Sequence, residues 1–213
     1  MTHAQILDEP PVTVPRRLLR TILVVGIAFA GIVGVGCTPY PTEPFPPNPD
    51  PLTDVQYWNA GDSVAWMWPQ YSTHTIHNAA RGGNGFLVTN AGTIETYTLA
   101  RLGDNRPQWM FVLGGVVDWY RPLEDVIAAM QHFEDTMAGL GIKTVWVTEA
   151  GRTDGTIAEV ARAMQPMMAW MLTRPYHIDC VPDVLPYVPP TDVHPSTEGY
   201  RAYAACVDAH WPT

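Results

Sequence analysis

Positive charge is what this chain has least of. Twelve Lys and Arg face 21 Asp and Glu across 213 residues, a formal net charge of −9, and Lys143 is the single lysine beside eleven arginines. Positions 1–36 hold three of the arginines and two of the acidic residues, so the remainder carries 9 basic and 19 acidic side chains, a net of −10. No basic patch is visible, and a surface of that sign repels a phosphate backbone, which excludes nucleic acid as a partner. Cysteine is scarce as well, with only Cys37, Cys180 and Cys206. None has a companion cysteine at zinc spacing, and His74, His77, His132, His177 and His210 show no metal-ligand pattern, so neither metal nor cofactor is expected. Long apolar runs are missing too. The uncharged stretch from Thr21 to Gly36 has sixteen residues, short of the roughly 20 that cross a bilayer. No internal repeat stands out.

What is present divides the chain in three. Arg16, Arg17 and Arg20 precede the apolar stretch, the pattern of an export signal. Val35-Gly36-Cys37 resembles the end of a bacterial lipobox, although Gly34 occupies the position where such a motif usually has leucine. Two readings stay open for residues 1–37: a lipidated Cys37 or an uncleaved anchor helix. Both place the protein outside the cytoplasm and on a membrane. Residues 38–53 form a linker with seven prolines between positions 38 and 51, a semi-rigid spacer of about 40 Å at the polyproline II rise. Residues 54–213 make one domain, expected as a monomer, with ample apolar surface in a chain that is 46% hydrophobic and has eight tryptophans. With Cys37 given to lipid, Cys180 and Cys206 are an even pair in an oxidising compartment. A bridge between them would add about 3.5 kcal/mol by restricting the unfolded chain. Two buried free thiols are the alternative.

Strand and helix signals alternate through the domain. Strands are expected at 55–58, 75–78, 109–113, 143–148 and 176–181. One helix begins at Pro122, with Leu123, Val126, Ile127, Met130, Phe133 and Met137 on a shared face until Gly139. A second is capped by Asp154 or Thr156 and places Ile157, Val160, Ala161, Met164, Met168 and Met171 together, with Pro166 expected to kink or split it. Ser196 caps a last helix with Tyr200, Tyr203, Ala204 and Val207 inward. Alternation of this kind predicts an α/β fold: three α/β/α layers around a mostly parallel, flavodoxin-like sheet.

In such a sheet, ligands gather beyond the carboxyl ends of the strands. Ser63 follows the first strand, and His194 lies in the loop after the last, so a hydroxyl nucleophile and an imidazole base can meet there. If helix begins at Ser63, its backbone N–H faces the same crevice. Each signal alone is weak, since Gly-Asp-Ser is most often a simple turn. Their order along the chain points to a serine hydrolase.

Taken together, Gly61-Asp62-Ser63, Arg81-Gly82-Gly83, Gly115-Val116-Val117-Asp118 and Asp192-Val193-His194-Pro195 resemble the blocks of the SGNH, or GDSL-type, hydrolases over about residues 54–211. The resemblance implies Ser63 as nucleophile, His194 as base, and the Ser63 and Gly83 N–H groups as the oxyanion hole. Two positions depart from the pattern. Val117 stands where the third block has an asparagine donor, a loss worth about 2.7–4 kcal/mol of transition-state stabilisation. Thr191 stands where the acid is expected, three residues before His194, so either Asp192 orients the histidine or a Ser63–His194 dyad acts alone.

Trp66, Trp68, Trp119, Tyr120 and Asp118 are candidates to line an acyl or sugar pocket, and packing accounts for the aromatics equally well. Glu149 falls at the same edge, where it either touches substrate or bonds nearby backbone. The resulting expectation is a membrane-tethered, extracytoplasmic esterase acting on acyl esters of envelope glycans or lipids. The alternatives are a related module that binds envelope polymer without cleaving it, and an acyltransferase using the same serine.

Overall fold

A computed structural model of the chain describes residues 56–90 and 92–212. The expected export signal at 1–37 with its Cys37, and the linker at 38–53, lie outside the described residues. Among the described residues no helix is long and apolar enough to cross a membrane.

In chain order the elements are β1 (Tyr57–Gly61), α1 (Ser63–Met67), β2 (His77–Asn78), α2 (Ile94–Leu102), β3 (Trp109–Leu113), α3 (Leu123–Gly139), β4 (Lys143–Val147), α4 (Ala158–Met171), β5 (His177–Ile178), α5 (Val181–Val184) and α6 (Thr197–Ala209). Short 3₁₀ turns at Trp68–Tyr71, Val116–Asp118 and Leu185–Tyr187 join them. All four strand pairings are parallel, in the order β2-β1-β3-β4-β5. That is the flavodoxin-like order, whose topological switch point falls between β1 and β3.

The middle strand β3 is buried at every position, as a continuous apolar run predicts for a strand covered on both faces. Alternation then assigns the layers. Phe111 points to one face, where it meets Trp68, Tyr57 and Trp211. Trp146, level with Val112, points to the other and meets Phe133 of α3, Trp170 of α4 and Phe86. The expected α/β/α arrangement is therefore the observed one.

Individual elements depart from expectation in instructive ways. β1 begins two residues later than expected and runs on to Gly61, while β2 and β5 contract to two residues each at the sheet edges. α2 was not anticipated. Thr93 caps it by accepting from the Thr96 N–H, and Gly103 ends it at φ +51. Neither Asp154 nor Thr156 caps α4. Ile157 holds that position, Asp154 is paired with Arg152 at 2.6 Å, and the Thr156 N–H donates to Pro190 O at 2.8 Å. Pro166 neither splits nor ends α4. It sits on the exposed side, as does Arg162, whose carbonyl one turn back loses its helical partner. The buried face of α4 is Ala158, Ala161, Met164, Met167 and Met171, so Ile157, Val160 and Met168 are only half-buried. On α6 all four expected inward residues are buried, and Ser196 Oγ accepts from the Gly199 N–H.

Candidate active site

The site is assembled at the carboxyl ends of β1 and β3. Gly61 closes β1 at φ +144, and a Cβ there would lie 1.8 Å from the Leu113 carbonyl oxygen, so only glycine lets the two strands run this close. Asp62 follows and holds the turn in place. Its Oδ1 accepts from the Val64 N–H at 2.9 Å, and its Oδ2 accepts from the Gly115 N–H at 3.3 Å. One carboxylate thereby starts α1 and ties the turn that carries Ser63 to the loop after β3. Complete burial pushes the Asp62 pKa up to about 6, against the opposing pull of the Val64, Gly115 and Ala65 N–H groups and the charge of His194.

Ser63 opens α1 and is nearly buried. Its Oγ lies 2.9 Å from His194 Nε2, across 131 residues of sequence. His194 Nδ1 lies 2.7 Å from Asp192 Oδ1, which also accepts from the His194 backbone N–H at 3.1 Å. A carboxylate only accepts, so Nδ1 carries the hydrogen. Nε2 is left as the acceptor facing the serine hydroxyl. Asp192, two positions before the histidine, thus reaches the ring nitrogen, while Thr191 stays exposed. The loop bearing this pair is held by the Ser196 N–H to Tyr187 O at 2.9 Å and by the Cys180–Cys206 disulfide, whose halves flank it in sequence.

The second block hangs from the first. The Arg81 N–H donates to Gly61 O at 3.0 Å, and Gly83 follows at φ +78. Asp118, a pocket candidate in the sequence, is wholly buried. Its carboxylate accepts from the N–H groups of Phe86, Leu87 and Val88 at 2.6, 3.1 and 2.9 Å. Asp118 therefore fastens the segment after Gly83 to the turn after β3. Gly85 makes room for it, since a Cβ there would stand 2.5 Å from its oxygens. Val117, where the resemblance led to the expectation of an asparagine, is half-buried against the core.

The aromatic candidates separate. Trp68 is completely buried and belongs to the core. Trp66 lines a groove of about 340 Å³ with Met67, Pro69, Gln70, Ile76 and Asn78, whose walls include neither Ser63 nor His194. Trp119 and Tyr120 are 40% and 54% exposed and meet edge to face immediately after Asp118. Among the described residues no group of three or more His, Cys, Asp or Glu is arranged to hold a metal ion.

No protein-family model matches the chain, and no curated protein matches it in sequence. The fold does have counterparts among solved structures. A protein of the G-D-S-L lipolytic family from Desulfitobacterium hafniense is similar at a TM-score of 0.60 and 12% identity, covering 73% of this chain and 99% of its own. A GDSL-like lipase from Bacteroides thetaiotaomicron is similar at 0.56 and 13%, covering 72% and 86%. An inhibitor-bound aryl esterase from M. smegmatis is similar at 0.54 and 12%, covering 74% and 98%. The chain has the three-layer fold of the SGNH/GDSL-type hydrolases.

Proposed function

We propose that this protein is a serine ester hydrolase in which Ser63, His194 and Asp192 form the catalytic chain. The observation that carries this reading is the unbroken relay of 2.9 Å from Ser63 Oγ to His194 Nε2 and 2.7 Å from His194 Nδ1 to Asp192. Ser63 Oγ attacks the ester carbonyl while Nε2 takes its proton, and Asp192 holds the imidazolium in orientation. The Ser63 and Gly83 N–H groups receive the oxyanion. As the tetrahedral adduct collapses, Nε2 returns the proton to the departing alcohol. Water, deprotonated by the same nitrogen, then releases the acid and restores Ser63. Tethering through residues 1–37 makes acyl esters of envelope glycans or lipids the substrates in reach, and the exposed Trp119–Tyr120 pair offers a stacking surface for either.

Hydrolysis of short p-nitrophenyl esters and labelling by a fluorophosphonate probe test this directly. Both are expected in the wild type and absent in Ser63→Ala, and equal inertness of the two proteins across acyl lengths defeats the reading. Incorporation of labelled palmitate that disappears in Cys37→Ser tests the lipid tether.

Val117 favours a second reading, a polymer-binding module that has lost turnover. Restoring the donor with Val117→Asn should raise kcat by about 10²–10³ if the site is a hydrolase short of one oxyanion contact. No gain, in a variant that binds envelope glycan as the wild type does, supports the module. Ester product appearing on an added glycan acceptor supports acyl transfer instead.

A further inference from the structure

Beside the Ser63–His194–Asp192 chain, one more acid is buried at the same rim without a cation against it. Glu149 is 1% exposed and belongs to none of the ion pairs of the described residues. Neither of its oxygens makes a hydrogen bond of good geometry, although the Val116 N–H faces it. Strand register places it. Gly61 is level with Leu113, and Val112 with Trp146, so Asp62, Gly114 and position 148 continue three adjacent strands at one height. Glu149 comes one residue beyond. Between the two acids runs Gly114-Gly115, and even a Cβ at Gly114 would stand only 3.5 Å from the Asp62 nitrogen and Oδ2.

Two buried carboxyl groups at one rim, with no full positive charge bound to either, are costly to hold ionised together. The hydrogen bonds sort them. Asp62 accepts from two backbone donors, which favours its charged form, whereas Glu149 accepts from none in good geometry. We propose that Glu149 is the neutral carboxylic acid of an Asp62–Glu149 pair. It is a positioning residue whose retained proton lets ionised Asp62 cap the turn that carries Ser63.

Burial first, and the Asp62 charge second, push the Glu149 pKa well above its ordinary value, with the Val116 N–H opposing. Of the other titratable groups around the pair, none sets a positive charge against Glu149. Tyr203 on α6 stays a neutral phenol, because burial above all pushes its own pKa well up, and its oxygen accepts from the Ala150 N–H at 2.7 Å. Tyr200 of the same helix acts on Tyr203, and His194 acts on Asp62. As pH rises through the raised Glu149 value, a second negative charge appears behind the nucleophile turn and loosens it.

The effect on turnover rests on the proposed esterase activity, but the protonation state does not, so the two are tested apart. Carboxyl-¹³C glutamate resonances of the full-length protein are followed against pH in the wild type, Glu149→Gln and Asp62→Asn. One resonance should remain protonated at neutral pH, be missing in Glu149→Gln, and titrate at lower pH in Asp62→Asn. If every glutamate titrates in the ordinary range, the proposal fails whatever the enzyme does.

In turnover of p-nitrophenyl acetate, Glu149→Gln keeps the shape of the neutral acid. It should retain kcat/KM to within about threefold and carry it further into alkaline solution, while Glu149→Ala loses about tenfold or more. An unchanged alkaline limb in Glu149→Gln overturns the positioning role. If the wild type turns over no ester, the functional reading falls, and the resonance alone decides the state of the pair.

Discussion

Replacing Asp118 by alanine removes three hydrogen bonds at once and leaves their donors behind. The Phe86 N–H is fully buried, while those of Leu87 and Val88 are partly so. A buried donor stranded without an acceptor costs about 1–3 kcal/mol. Counting Phe86 near the upper end and the other two near the lower, the loss is about 5 kcal/mol, a large fraction of the roughly 5–15 kcal/mol typical of a domain. The damage should not stop at stability, because the loosened segment begins at Gly83. Ester turnover by the folded fraction should therefore fall as well, by about tenfold or more if the Gly83 N–H is lost to the oxyanion. Urea unfolding followed by tryptophan fluorescence measures the first effect. Turnover at a urea concentration far below the transition measures the second. A loss of stability under about 1 kcal/mol with unaltered turnover would refute the role assigned to this carboxylate.

Two further outcomes follow from the same contacts. Reduction of Cys180–Cys206, or Cys206→Ser, should lower stability by about 3.5 kcal/mol, given a closed loop set by a separation of 26 residues. Thermal melts with and without reductant read this, and coincident curves contradict it. The pH dependence has a defined sign. The folded Asp62 pKa stands near 6 against an ordinary 3.8, so its contribution to stability is fully present below about pH 4 and is lost as pH rises through 6. The change is about 3 kcal/mol at 1.36 kcal/mol per unit. Glu149, raised further, extends the same decline to higher pH. Urea midpoints of Asp62→Asn against pH should lack the wild-type fall between about pH 4 and 6, and a wild type that gains stability over that window contradicts the burial argument.

Local chemistry was legible in the chain. The run Trp109–Leu113, the stop at Gly114-Gly115, the Gly61 turn, the Ser196 cap and the inward face of α6 all follow from period, turn residues and capping, which act over a few positions. Pro166 and Asp154 were misread because each obeys a local rule that its surroundings override. Pro166 lies on the exposed side of α4, and Asp154 is paired with Arg152 instead of capping the helix. α2 went unseen because only Ile94, Thr98 and Leu102 are buried on a short helix, too few to raise a periodic signal.

The sequence by itself determined the layered α/β plan and the placing of a hydroxyl after the first strand and an imidazole before the last helix. Only the tertiary structure decided which acid serves His194, that the cysteines pair, that Asp118 is spent on loop backbone, that Trp68 is core while Trp119 is surface, and that Glu149 is buried at the rim it shares with Asp62. Apart from the local Asp192–His194 contact, hydrogen bonding and burial of these groups are set by partners tens of residues away. Strand register brings those partners together, and no local pattern along the chain encodes it.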